Sequence, residues 1–165
     1  MLDNNSLHEK VKSILYSLTG ITLSENKDIM IANRLHKLKR DTKYSGDIEE
    51  LLITIEKDGL FINEFINSFT TNKTHFFRED FHFTDLKNRV LLDFAKSGQE
   101  IKMYCSASST GEEPYSMAMT VLESQEETRK KIKASILATD IDTNVLQYAA
   151  NGVYRYSKSS TEFPA

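Results

Sequence analysis

The stretch from Glu100 to Gly152 constrains this chain more than any other. An alternating run, "EIKMYC", is followed by a loop of small residues, "SASSTGEE", a helical run, "PYSMAMTVLES", a second apolar run, "KASILATDID", and a further helical run, "NVLQYAANG". Strand, helix, strand, helix implies parallel strands joined by helical crossovers. The second strand reads as buried, because its apolar residues are continuous rather than alternating.

The first seventy residues follow a different period. Leu7, Val11, Ile14, Leu15 and Leu18 recur at helical spacing, with Asn5 or Ser6 as cap and Gly20 as stop. Ser24 precedes a second helix whose Ile31, Leu35 and Leu38 share a face. Asp47 and Glu50 form a capping-box pair before "IEELLITIEKDG", which Gly59 is expected to end. Leu60, Phe61, Phe65, Ile66 and Phe69 mark a fourth helix. The expected organisation is a helical domain over 1–69, a linker and helix over 70–97, and an α/β region over 98–165. In the middle segment, "FTTNKTHFFREDFHF" interleaves Thr, Asn and His with aromatics, and Leu86, Val90, Leu91 and Phe94 mark a helix ended near Gly98.

In open parallel sheets ligands bind beyond the carboxyl ends of the strands, which is where "CSASSTGEE" lies. Its small side chains let the backbone approach a ligand closely, and Pro114 suits a first helical turn. Glu112 and Glu113 would repel a phosphate at the helix N-terminus, so the loop prefers a cation. With Gly111 alone it lacks the G-x-G-x-x-G spacing, and it lacks the P-loop Lys, which disfavours a dinucleotide-dependent oxidoreductase. S-Adenosylmethionine, a nucleoside with an ammonium and a sulfonium, fits such a loop. Asp140 ends the second strand where ribose hydroxyls are commonly held, and Asp142 follows it. Each acid pair also has a plain structural reading: Asp142 as an N-cap, and Glu112 or Glu113 as complements to the helix dipole.

Composition narrows the function classes. A net charge of -3 argues against a general nucleic-acid binder. No apolar run reaches the roughly 18 residues of a membrane span, and "MLDNNSLHEK" lacks the order of a signal peptide, so the expected location is cytoplasmic without membrane insertion. The single cysteine, Cys105, reads as a small buried residue at a strand end. His75 and His82 have no convincing set of further ligands, so no metal site is expected.

Three stretches taken together carry a resemblance: "TTNKTHFFRE" (residues 70–79), "SSTGEEPYSMAM" (108–119) and "ATDIDTNVLQYAANGVY" (138–154). In this order and spacing they resemble the bacterial chemotaxis glutamate methyltransferases known as CheR. The fold implied is an all-α N-terminal domain followed by a partial α/β Rossmann-like, S-adenosylmethionine-dependent methyltransferase domain with a parallel sheet. The activity implied is methyl transfer from S-adenosyl-L-methionine to glutamate side chains of chemoreceptors, leaving S-adenosyl-L-homocysteine. Ala107 stands where many relatives have Gly.

By this resemblance Asn72, Thr74 and Arg78 look like cofactor contacts of the linker motif, with Arg78 also near the transfer site as the catalytic candidate. Glu113 looks like the partner of the methionine ammonium and Asp140 like the ribose ligand, with Glu112 and Asp142 as second choices. Phe76, Phe77 and Phe81 are expected to pack in a core between the domains. Residues 34–43, "RLHKLKRDTK", carry five cations against one acid, so Arg34, Lys37 and Arg40 are candidates for holding the acidic cytoplasmic helices of methyl-accepting chemoreceptors, while Leu35 and Leu38 pack inward. The chain stops after two recognisable strands, and a complete sheet would take roughly 100 more residues. The missing half would supply adenine contacts, a tyrosine near the methyl and a small β-subdomain. The alternative function is therefore a catalytically incompetent form that keeps receptor or partial cofactor binding. Its uncovered sheet edge predicts self-association.

Overall fold

The structure is a computed structural model and describes residues 4–155. The chain divides into two compact units, with the boundary between Thr71 and Asn72.

The first unit holds α1 (Asn4–Thr19), α2 (Asp28–Asp41), α3 (Ile48–Ile55) and α4 (Gly59–Phe69). Their apolar stripes meet in one core of Val11, Leu15, Ile31, Leu35, Leu52 and Phe65, each fully buried, with their neighbours around them. Leu38 joins that core, so Leu35 and Leu38 do face inward. Burying one such side chain stabilises by about 1.5–3 kcal/mol, which is why the stripe rather than intrinsic propensity fixes these short helices.

Helix boundaries in this unit depart from the sequence reading in three places. Helix α1 begins at Asn4, so Asn5 and Ser6 lie inside it. Helix α2 begins at Asp28 rather than after Ser24, because a turn with Asn26 at φ 66° occupies the intervening residues. The capping box forms as expected: the Glu50 amide donates to Asp47 Oδ1 at 2.8 Å and the Asp47 amide to Glu50 Oε2 at 3.1 Å. Gly59, however, starts α4 instead of ending α3, because the Asp58 carboxylate caps the Leu60 amide just ahead of it. Leu60 consequently points outward and is 77% exposed.

The second unit opens with the linker residues and a helical stretch that starts at Phe81, five residues before the apolar pattern suggested. It runs as α5 (Phe81–Asp85), a π-helical segment (Leu86–Leu91) and α6 (Leu92–Ser97), and Gly98 ends it at φ 69°. Strand β1 (Glu100–Cys105) follows, then α7 (Glu112–Thr128), β2 (Lys133–Ala138) and α8 (Thr143–Asn151). The two strands are parallel, with Met103 opposite Ile136 and Cys105 opposite Ala138. Ile101, Leu91, Ala95, Val121 and Ile132 form the core of this unit.

The expectation of a buried second strand is corrected. Lys133, Ala134, Ser135 and Leu137 are exposed, and Leu137 and its cross-strand partner Tyr104 are each 62% exposed. A strand is buried on both faces only when elements cover both. Among the described residues the sheet has two strands, α7 covers the face bearing Ile101 and Met103, and the face bearing Tyr104 and Leu137 is bare.

Candidate functional site

At the carboxyl end of the sheet the parallel pairing continues past the strands: the Thr139 amide donates to Cys105 O and the Ser108 amide to Thr139 O, both at 2.9 Å. This brings the loop after β1 against the residues after β2. Asp140 then fixes both segments, since its carboxylate accepts the Ser109 amide at 2.8 Å and the Asp142 amide at 2.9 Å. A carboxylate has about four acceptor positions, so two amide bonds hold Asp140 in place while leaving capacity for hydroxyl donors.

Asp142, 3% exposed, meets its plain structural reading and more. One oxygen caps α8 by accepting from the Asn144 and Val145 amides, and the other accepts from Asn72 Nδ2 at 2.6 Å. Ser109 Oγ donates in turn to Asn72 O at 3.1 Å. Asn72 of the linker motif is thus stitched to both strand ends. Thr74, two residues on, is half-buried.

The loop ends at Gly111, whose φ of 101° only glycine adopts readily, and α7 starts at Glu112, two residues before the expected Pro114. Thr110 Oγ1 donates to Glu112 Oε2 at 2.6 Å, so Glu112 closes the turn. Glu113 is exposed and receives the Cys105 thiol at 3.5 Å. Burial, with the Glu113 carboxylate alongside, pushes that thiol up to about 11. Cys105 therefore stays protonated and acts as a donor to Glu113.

Arg78 sits between two residues in the left-handed region, Phe77 at φ 52° and Glu79 at φ 56°. Such backbone costs about 1–3 kcal/mol per residue and persists only where neighbours enforce it. Here the Phe77 amide donates to the buried Ser116 Oγ at 2.9 Å, and Arg78 Nη1 donates to Lys73 O at 3.1 Å. The turn presents Arg78 to a cleft of about 500 Å³ that Glu113, Phe83 and Met117 also line. Arg78 also borders an adjoining cleft of about 640 Å³ with His75, Lys87 and Thr120. The linker aromatics divide. Phe76 is buried against Tyr154 and Phe77 meets Phe83, both inside the second unit, whereas Phe81 is 58% exposed and is not a core residue.

In the first unit, the cations of α2 have separate fates. Arg34 is half-buried, donates to Thr70 O at 3.3 Å and lies 5.7 Å above the Phe69 ring. Lys37 is exposed, and Arg40, also exposed, pairs with the adjacent Asp41 at 3.2 Å. Among the described residues no group of three His, Cys, Asp or Glu could hold a metal ion, and no helix is long and apolar enough to cross a membrane.

Sequence reasoning missed the tertiary partners: Ser109 for Asp140, Asn72 for Asp142, Ser116 for Phe77 and the thiol for Glu113. It also gave no role to Tyr154, whose hydroxyl donates to Thr110 O at 2.6 Å. The signal available for these was only the presence of small hydroxylated residues in the loop and first turn, which does not name their partners.

The family described as "CheR methyltransferase, SAM binding domain" matches residues 72–163, and "CheR methyltransferase, all-alpha domain" matches residues 8–70. A "Chemotaxis protein methyltransferase" of Borreliella burgdorferi is 37% identical over 86% of this chain and 52% of its own length. One of Escherichia coli (strain K12) is 38% identical over 90% of this chain and 50% of its own. "Chemotaxis protein methyltransferase 2" of Pseudomonas aeruginosa is 38% identical over 88% and 51% respectively. The chain spans about half the length of the curated relatives it matches. It belongs to the CheR methyltransferase family and carries the family's all-alpha domain followed by sequence of its S-adenosylmethionine-binding domain.

Proposed function

We propose that this protein takes part in chemotactic adaptation in the cytoplasm, as a methyltransferase that moves the methyl group of S-adenosyl-L-methionine to glutamate side chains of methyl-accepting chemoreceptors. The observation that carries the reading is the joining of Asp140, Asp142, Ser109 and Asn72 at the two strand ends. It makes a fixed acidic edge at the carboxyl ends of the strands, and a cleft of the same unit holds both an exposed carboxylate, Glu113, and a guanidinium, Arg78.

The donor set suits the cofactor. Glu113 can pair with an ammonium and Arg78 can hold a carboxylate by two bonds, either that of the methionine moiety or that of the incoming glutamate. Asp140 retains acceptor capacity for ribose hydroxyls. When bound, S-adenosylmethionine supplies a methyl on a sulfonium whose departing thioether is neutral. The protein's work is then to position and desolvate the reactants, without acid–base chemistry of its own. Asn72 acts here by holding the linker against Asp142, and Thr74 contacts the cofactor from the same linker. On α2, Lys37 and Arg40 offer exposed cations to acidic receptor helices, with Arg34 at their base braced on the end of α4.

A second reading is favoured by the bare sheet face of Tyr104 and Leu137: the 165 residues bind receptor, and cofactor in part, while transfer needs more of the fold. Calorimetric titration with S-adenosylhomocysteine tests the cofactor reading. Binding by the wild-type chain that weakens at least about tenfold in both Asp140→Ala and Glu113→Ala supports it, since each variant removes a charge-assisted contact of about 1.5–3 kcal/mol. Transfer of labelled methyl to receptor membranes by the same protein selects the first reading, and binding without transfer selects the second. No heat from a chain that is folded by circular dichroism overturns the cofactor reading.

A further inference from the structure

Tyr154 lies outside the set of residues assigned to the cofactor, yet it reaches into the loop that carries them. Its hydroxyl donates to Thr110 O at 2.6 Å. A Cβ on Gly111 would stand 2.5 Å from that same hydroxyl and 2.8 Å from Ala149 Cβ, so the phenol and α8 occupy the space the glycine leaves. The Tyr154 ring is enclosed edge-on by Phe76 of the linker at 4.8 Å, Tyr115 of α7 at 5.5 Å and Tyr148 of α8 at 5.7 Å between centroids. Tyr115 is itself fixed by its own hydroxyl, which donates to Ala149 O at 3.0 Å. One side chain thus touches the linker, the loop, the crossover helix and the last helix.

From this we infer that Tyr154 is a positioning residue for the cofactor loop: its hydroxyl and its aromatic cage hold residues 108–111 in the shape that aims the Ser109 amide at Asp140 and starts α7 at Glu112. The inference deepens the cofactor reading and rests on it for its consequence in binding. Burial, together with the nearby Glu112 carboxylate, pushes the phenol up to about 12, so it remains a donor throughout the working range of pH. The loop's other anchors hold its first two residues, through the Ser108 amide on Thr139 O, the Ser109 amide on Asp140 and the Ser109 hydroxyl on Asn72 O. Its backbone turns through left-handed Ser109 and Gly111, and Ser108 Oγ is buried with no hydrogen-bond partner among the described groups. Among the described residues, the Tyr154 bond is the one that reaches Thr110 from beyond α8.

The test compares Tyr154→Phe with Tyr115→Phe in the full chain, by amide hydrogen exchange and by calorimetry with S-adenosylhomocysteine. Both variants delete one phenolic hydroxyl from the same cluster, but only the first deletes a bond to the loop. In Tyr154→Phe the Ser108, Ser109 and Gly111 amides should exchange about tenfold faster while those of β1 keep their rates, and the ligand should bind about tenfold more weakly. Tyr115→Phe should change neither. Unchanged loop exchange in Tyr154→Phe overturns the inference, as does equal acceleration across β1, which would mean a general loss of stability. A loosened loop with unaltered affinity overturns its bearing on the cofactor. If the wild-type chain does not bind the ligand, the cofactor reading fails, and the exchange rates alone decide whether Tyr154 holds the loop.

Discussion

Cys105 has more chemistry in the structure than its place in the sequence suggests. As a lone cysteine it reads as packing material, and it is indeed 3% exposed, but its thiol also donates to Glu113, a residue proposed to meet the ligand. Its value in the folded protein, about 11, lies above the ordinary 9.0. The folded state therefore favours the protonated thiol, and the stabilisation is complete below about pH 9 and is lost as pH rises toward 11. Urea midpoints measured between pH 8 and 11 should fall more steeply for the wild type than for Cys105→Ala. A parallel decline in the two proteins would refute a buried, raised thiol. At pH 8 a disulfide reagent should modify the native thiol at least about a hundredfold more slowly than the unfolded one, because attack requires exposed thiolate.

At the scale of elements, most of the fold was legible because it depends on neighbours in sequence. Strand β1 spans the residues that its alternation marked, and the Asp47–Glu50 box is closed as its spacing implied. What was not legible depends on contacts far along the chain. Asp142 reads as a cap, and it is one, but its bond to Asn72 joins residues seventy positions apart and leaves no local trace. The same holds for the start of α7: Pro114 pointed to the first turn, whereas the left-handed Gly111, packed under Tyr154, sets the beginning two residues earlier. Because Asp142 serves α8 and the linker at once, Asp142→Ala should cost more than an ordinary cap. We expect about 2–3 kcal/mol in urea unfolding, against about 1 kcal/mol for Asp47→Ala at the exposed box on α3. Equal losses would mean that the Asn72 bond contributes nothing net.

At the scale of the whole molecule, the bare face of the sheet dominates. Tyr104 and Leu137 sit opposite each other and are each 62% exposed, and β2 has a free outer edge among the described residues. Burial of a strand cannot be read from its own letters, since "SILA" is equally apolar with one face covered or with two. Exposed apolar surface next to an unpaired edge favours association. Sedimentation velocity should show concentration-dependent self-association of the wild-type chain that Leu137→Lys, a charge placed on that face, reduces or abolishes. A wild type that stays monomeric at high concentration would refute this.

The cage around Tyr154 gives the protein an optical property. The chain has no tryptophan and seven tyrosines, so its near-ultraviolet emission is tyrosine emission, and three of the seven, Tyr115, Tyr148 and Tyr154, stand together beside one loop. A phenol bonded to a carbonyl absorbs and emits differently from a hydrated one. The state of that loop is therefore readable without a label, in the intrinsic fluorescence of the unmodified protein.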